Sequence, residues 1–294
     1  MIKILHLSDT HIHNLKYHKE YYEVFQQLFA KAKELKPDVI IHTGDIAHSK
    51  TQMSPEFVDL CSFFLKGLSN IAPVRIILGN HDGNLRNSNR QDAITPIFSA
   101  LKLSNVVIWK NAGEYPWDKF VTFNVLSVFD KENWVSPPTD PTKINIALHH
   151  GSISGVKTDL GWTMEHGEHD ISIFRGFDYA LLGDIHKTNQ ILDQKGKIRY
   201  AGSTVQQNHG ETNDKGFLFW EINSKDDYKC THHKLLNPKP FVSIVLTPSG
   251  HIPKGTNVQE GARLRLVAEH PLPLDRIRRS LEIAQKRFKS ESIR

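Results

Sequence analysis

Short apolar runs, each ended by a polar cluster, recur along the first half of the chain. Ile2–Leu7 runs into Ser8-Asp9-Thr10-His11, Val39-Ile40-Ile41 into Gly44-Asp45, and Val74–Leu78 into Gly79-Asn80-His81-Asp82. Between these runs the apolar period lengthens. Tyr21, Val24, Phe25, Leu28, Ala32 and Leu35 predict a helix that Pro37 ends, and Phe57, Leu60, Phe64 and Leu68 predict a second. Strand and helix in alternation imply right-handed βαβ units and a largely parallel sheet. The second half is richer in strands: Val106–Trp109, Phe120–Val128, Ile144–Leu148, Tyr179–Leu182, Gln190–Leu192, Ile198–Tyr200 and Phe217–Ile222, with Asp193–Gly196 as a hairpin turn. The fold class is therefore α/β, with two sheets packed face to face and helices outside. Asn237-Pro238-Lys239-Pro240 suggests a boundary between residues 1–236 and 237–294. Beyond it lie two strands and a final helix whose stripe is Leu274, Ile277, Leu281, Ala284 and Phe288.

Composition narrows the classes. A chain of 294 residues with 39% hydrophobic content can bury one large core, or one large and one small. Its two cysteines, Cys61 and Cys230, cannot form a disulfide framework, so a reducing compartment, the cytoplasm, is expected. No apolar run approaches the ~20 residues that span a bilayer, and the first residues lack a signal-peptide core, so secreted and membrane readings are set aside. The net charge of +5 is uneven: residues 236–294 carry 11 Lys/Arg and 5 Asp/Glu, the remainder 26 and 27. A near-neutral body with a basic end fits a polyanionic partner; a solvated basic helix is the plainer alternative.

The 17 histidines are the remaining clue. Asp9 and His11, Asp45, Asn80 and His81, His149 and His150, and Asp184 and His186 each follow an apolar run directly. In α/β sheets ligands bind beyond the carboxyl ends of strands, so these groups are placed to converge. Taken singly, Asp9 or Asp45 could be helix caps, Asn80 a turn residue and His149 a packed imidazole. Their joint occurrence, each directly after an apolar run, is what those readings leave unexplained. Aspartate, asparagine and imidazole without thiolate suit Mn²⁺, Fe or Zn²⁺, with Mg²⁺ less favoured. The donors exceed one tetrahedral set, and two ions sharing a carboxylate would use them all.

In this order the motifs resemble those of the calcineurin-like metallophosphoesterase superfamily, across roughly residues 3–190. Gly44-Asp45-Ile46-Ala47-His48, Tyr200–Thr204, Gly210-Glu211 and Lys215-Gly216-Phe217 resemble the SbcD-type DNA-repair nucleases, and Gln206–Glu211 is most similar to phage-encoded recombination nucleases. The resemblance implies a four-layer α/β/β/α sandwich with a small α+β capping domain at 237–294. It also implies a two-metal phosphodiesterase, a 3′→5′ exonuclease and single-strand endonuclease of repair and recombination. Expected partners are DNA, an SMC-like SbcC-type ATPase and a second copy of the chain, in a bacterial or phage-infected cytoplasm. The alternatives are a phosphoesterase of nucleotides or phosphoproteins, and a catalytically weak DNA-binding subunit. The chain stops at Arg294 soon after its last helix, as a compact version or a shortened longer protein would.

Carried over by motif, one ion takes Asp9, His11, Asp45 and His186, and the second takes Asp45, Asn80, His149 and residue 184. His150 is the fallback for His149. Mn²⁺ is the first expectation for both ions. His81 would act at the scissile phosphate as general acid or electrostatic stabiliser, with His48 positioning the phosphate. The family usually reads Gly-His-x-His where this chain has Gly183-Asp184-Ile185-His186, so Asp184 is either a harder ligand or turned away. Arg86 and Arg90 in the loop, and Arg278 and Arg279 in the last helix, are candidate DNA contacts or ordinary surface charges.

Overall fold

Ile2–Leu7 is buried along nearly its whole length because it lies inside a sheet rather than at its edge. The computed structural model describes residues 1–294 and places this strand in a six-stranded sheet. The order is Tyr228–Lys234, Gly216–Ile222, Ile2–Leu7, Val39–Thr43, Val74–Ile77 and Val106–Trp109. The last four strands run parallel, and Gly216–Ile222 closes on Ile2–Leu7 antiparallel, with Ile4 opposite Trp220. A second six-stranded sheet has the order Gln190–Ile191, Ile198–Tyr200, Tyr179–Gly183, Ile144–His150, Val121–Leu126 and Gly113–Pro116.

Strand alternation divides the side chains between two cores. Ile4, Val39, Ile41 and Trp220 of the first sheet meet Phe123, Ile146, Leu148 and Leu181 of the second in the space between them. Leu5, Leu7, Ile40 and Ile76 point the other way, against Phe25, Leu28, Phe57 and Phe64 of the helices His18–Leu35 and Pro55–Ser69. Each fully buried side chain of this kind contributes about 1.5–3 kcal/mol. The second helix starts where the sequence can cap it: Ser54 Oγ accepts from Phe57 N at 3.2 Å and Pro55 follows. The outer face of the second sheet packs Ala147, Ala180 and Leu182 against Phe174 of the 3₁₀ turn Ile171–Phe174. The result is the α/β sandwich expected from the sequence, and it brings the carboxyl ends of parallel strands from both sheets to one rim.

Residues 241–294 build a third sheet, in which Phe241–Val245, Arg263–Val267 and Ser292–Ile293 run parallel, with the helix Leu274–Phe288 between the last two. Ile244, Ala262, Leu264, Ala284 and Phe288 form its own small core. The predicted helical stripe is corrected at its start, since Leu274 in the first turn is 62% exposed. A buried ion pair joins this unit to the body: Arg263 meets Glu20 of the first helix, and its guanidinium lies 4.5 Å from the Tyr17 ring centroid. Tyr228–Lys234, an edge strand with little apolar alternation, was absent from the sequence expectation.

Candidate metal centre

Asp9, His11, Asp45 and Asp184 each sit just past a strand with φ of 49°, 47°, 59° and 97°. L-residues avoid this left-handed region, although Asp, Asn and His tolerate it best. Backbone strain of this kind is held in place by the structure around it and concentrates at functional sites. Gly44, at φ 98°, lets the two sheets close here, because a Cβ would collide with the His150 ring and with Gly79 N.

Asp82 fixes the geometry from below. Its fully buried carboxylate accepts from Asp45 N and Ala47 N at 2.8 Å and from Gly79 N at 3.0 Å, so one side chain ties two of the rim loops together. Burial, followed by the neighbouring Asp45, pushes this carboxyl up to about 7. The motif Gly79–Asp82 carried this residue in the sequence without assigning it a role. Asp82→Ala leaves three buried N–H groups unpaired at about 1–3 kcal/mol each. A loss of roughly 3 kcal/mol or more in denaturant unfolding is expected, with Asp82→Asn intermediate because one acceptor oxygen remains. An unchanged midpoint in Asp82→Ala would show that these bonds do not hold the two loops.

Three overlapping sets of donors result: Asp9, His11 and His186; His11, Asp45 and His81; and Asp9, Asp45 and His150, with the donor atoms of each set within 4.8 Å of one another. His11 Nε2 lies 3.0 Å from His186 Nε2, 3.6 Å from Asp45 Oδ2 and 3.8 Å from Asp9 Oδ1. His150 Nε2 lies 3.3 Å from Asp45 Oδ2, 3.2 Å from Asn80 Oδ1 and 3.8 Å from Asp184 Oδ1. Asp184 therefore faces the cluster, and its backbone N donates to Asp9 at 3.1 Å. Burial pushes its carboxyl up to about 6, against the pull of His150. Burial would also raise Asp45, but the charge and hydrogen bond of His150 hold it well below the usual range.

The donor set fits divalent cations. Asp9 and Asp45 are 0% and 2% exposed, and buried carboxylates this close to one another need positive charge beside them. Oxygen and imidazole donors without sulfur supply the matching ligand chemistry. The structure corrects one proposed ligand: His149 is not in this cluster. Its Nδ1 donates to Leu126 O at 2.8 Å, and its ring packs with Trp134 and Phe174 at centroid distances of 5.3 and 6.0 Å. Successive side chains of the strand Ile144–His150 face opposite sides of the sheet, which gives His150 to the rim and His149 to the outer layer. His150 Nδ1 donates to Thr43 O at 2.7 Å, fixing the ring with Nε2 toward the carboxylates.

Two supporting residues, Glu211 and Lys215, belong to Gly210-Glu211 and Lys215-Gly216-Phe217. Glu211 accepts from His186 Nδ1 at 2.7 Å and is itself held by Gln207 N and Ser203 Oγ. Burial would lower His186, but Glu211 and then Asp9 outweigh it and raise this imidazole to about 9. This carboxylate–histidine pairing orients a ligand nitrogen. Lys215, almost fully buried, donates to His186 O at 2.7 Å and pairs with Asp159 at 2.6 Å.

His81 and His48 flank the cluster on its open side. His81 N donates to Asp45 Oδ1 at 2.8 Å, while its ring Nδ1 donates to His48 O at 2.7 Å, leaving Nε2 free. The His48 ring stacks on His13 at 3.8 Å, and burial, then His81, lowers its pKa. Arg86 is exposed and, with His48, Lys50, Asn80 and His81, lines an open cavity of about 820 Å³. Arg90 is exposed outside that cavity, and Arg278 and Arg279 lie on the solvent face of the last helix. Two further histidines prove structural: His42 is bonded to Thr10 at 2.8 Å and His6 to Thr43 at 3.0 Å, and both are fully buried.

Residues 2–188 match the family described as calcineurin-like phosphoesterase. The chain is 40% identical over 237 residues to R555, an uncharacterized protein of Acanthamoeba polyphaga mimivirus; the match covers 76% of this chain and 17% of that relative's length. Among solved structures it is similar to the Pseudomonas putida nuclease MPE, at 18% identity and a TM-score of 0.31 over 51% of this chain and 63% of that one. It is also similar to a dimetal phosphatase from Danio rerio, at 10% identity and a TM-score of 0.42 over 79% and 99%. No helix is long and apolar enough to cross a membrane. With the matched segment spanning every residue of the clustered donor sets, the chain belongs to the calcineurin-like phosphoesterase family of metal-dependent hydrolases.

Proposed function

We propose that this chain is a metal-dependent DNA nuclease of recombination and repair, cutting phosphodiesters as a 3′→5′ exonuclease and single-strand endonuclease. The observation that carries this reading is the open, polar cavity of about 820 Å³ beside the metal centre, whose walls include Lys50, His48, His81 and Arg86. An open trough with cations and imidazoles suits a phosphate within a continuous strand better than an enclosed phosphomonoester pocket would. Asp9, His11, Asp45 and His186 would hold one cation, and Asp45, Asn80, His150 and Asp184 the other. When bound, the two ions supply Lewis acidity and activate a water for in-line attack on phosphorus. The carboxylates of Asp9, Asp45 and Asp184 neutralise that positive charge, and Glu211 keeps His186 aimed. His81 presents Nε2 to the departing oxygen, where a proton or a positive charge is needed, and His48 holds a flanking phosphate.

The cap role of residues 237–294 rests on their basic excess and on the exposed Arg278 and Arg279. The SMC-like SbcC-type ATPase and the second copy of the chain are proposed on the sequence resemblance alone.

The test is cleavage of single-stranded and duplex DNA after EDTA treatment, with Mn²⁺ added back and bis(p-nitrophenyl) phosphate as control. Restoration by Mn²⁺ on both substrates is expected. Hydrolysis of the small ester without DNA cleavage would point to a nucleotide or phosphoprotein substrate instead. Charge reversal tests the cap better than truncation, because removing residues 240–294 strips buried Glu20 of Arg263. Arg278→Glu with Arg279→Glu should weaken duplex binding and flatten its salt dependence by about one counterion per lost phosphate contact.

A further inference from the structure

The hairpin that pairs Val156–Lys157 with Thr163–Met164 carries two large apolar side chains into solvent, Leu160 at 76% and Trp162 at 61% exposure. Tryptophan is normally among the well-buried residues, so one held outward on a fixed support marks a contact surface. The support here is fixed. Gly161 N donates to Thr158 O at 3.0 Å and Thr158 N to Trp162 O at 2.9 Å, closing the tip. Asp159, between them, pairs with Lys215 at 2.6 Å, with the two side chains only 5% and 1% exposed. The same ammonium donates to the backbone oxygen of His186 at 2.7 Å. One buried lysine therefore sets the distance between the tip and a residue of the metal centre. Leu160 and Trp162 line a cavity of about 590 Å³ together with Asp184 and His186.

We propose that Trp162, flanked by Leu160, is the stacking platform for an unpaired nucleobase adjoining the scissile phosphate. This rests on the nuclease reading above. A phosphate held at the centre leaves its neighbouring base within one nucleotide of this cavity, because the two share Asp184 and His186 as walls. An indole face accepts any base, so the platform grips single-stranded DNA without selecting sequence. Lys187, on the same cavity, supplies a cation for the next phosphate along. Because Trp162 is exposed and its tip is held by backbone bonds and Asp159, its replacement leaves the fold intact.

The experiment compares Trp162→Ala, Trp162→Phe and the unaltered protein on single-stranded oligonucleotides, intact or with one abasic nucleotide moved along the strand. Trp162→Ala should lower kcat/KM on the intact strand by about 5- to 150-fold, the span that base–aromatic stacking gives. Trp162→Phe should recover most of that loss. Affinity of the EDTA-treated protein for a fluorescein-labelled strand, read by anisotropy, should fall in the same order. At one abasic position the unaltered protein should lose the same factor, and Trp162→Ala should add little to it. Equal kcat/KM for Trp162→Ala and the unaltered protein on intact DNA overturns the platform, as does an identical Trp162→Ala loss at every abasic position. Turnover of bis(p-nitrophenyl) phosphate with no DNA cleavage by the unaltered protein overturns the nuclease reading and the platform with it. DNA cleavage indifferent to Trp162 overturns the platform alone.

Discussion

Asp45→Asn is expected to lower metal-dependent hydrolysis by roughly a thousand-fold or more, the equivalent of several kcal/mol of lost charge stabilisation. Asp45 belongs to the set with His11 and His81 and to the set with Asp9 and His150, and in the proposed assignment it is the one carboxylate common to both cations. One oxygen faces His11 and His150 at 3.6 and 3.3 Å, and the other accepts from His81 N at 2.8 Å. Asparagine preserves the shape and the accepting oxygen but removes the negative charge on which both cation sites depend. Metal content by atomic emission should fall together with activity, while the circular dichroism spectrum stays unchanged. Full metal content with full turnover would show that Asp45 is not the shared ligand.

His81→Ala should separate chemistry from metal binding. Its Nδ1 is committed to His48 O, so only Nε2 can reach a substrate atom. General acid–base or electrostatic help from one imidazole accounts for about 10²- to 10⁴-fold in rate. A loss of that size in kcat, with metal content retained, is the expected result. Loss of metal in proportion to activity would make His81 a ligand, as its proximity to His11 and Asp45 allows. Unchanged kcat would exclude both roles. His48→Ala should act more weakly and chiefly on KM, because His48 stacks on His13 and stands farther from the donors than His81 does.

The sheets were legible because apolar runs ending in a polar cluster are what buried parallel strands look like in sequence. Five of those strand ends do meet at one rim. The choice between His149 and His150 was also written in the chain, in a signal that motif matching overrides. Ile144, Ile146 and Leu148 alternate with Asn145 and Ala147, and His150 continues the bulky series that faces the first sheet. His149 continues the other series and packs against Trp134. What alternation cannot convey is long-range pairing. That Glu211 aims His186, or that Lys215 joins Asp159 to the same residue, depends on loops whose positions no local period encodes. Tyr228–Lys234 escaped for a related reason: an edge strand of half-exposed polar residues has backbone pairing but no apolar rhythm.

The left-handed backbone at Asp9, His11, Asp45 and Asp184 also bears on how this protein can drift over generations. Most side chains are strained at such positions, and glycine, asparagine, aspartate and histidine are nearly the whole set that is not. Two filters, conformational and chemical, therefore act on the same four codons. A lineage released from catalysis would keep the first filter while losing the second, and these positions would slide toward glycine and asparagine with the fold preserved. Aspartate at position 184 passes both filters: it tolerates φ 97° and it turns a carboxylate toward His150.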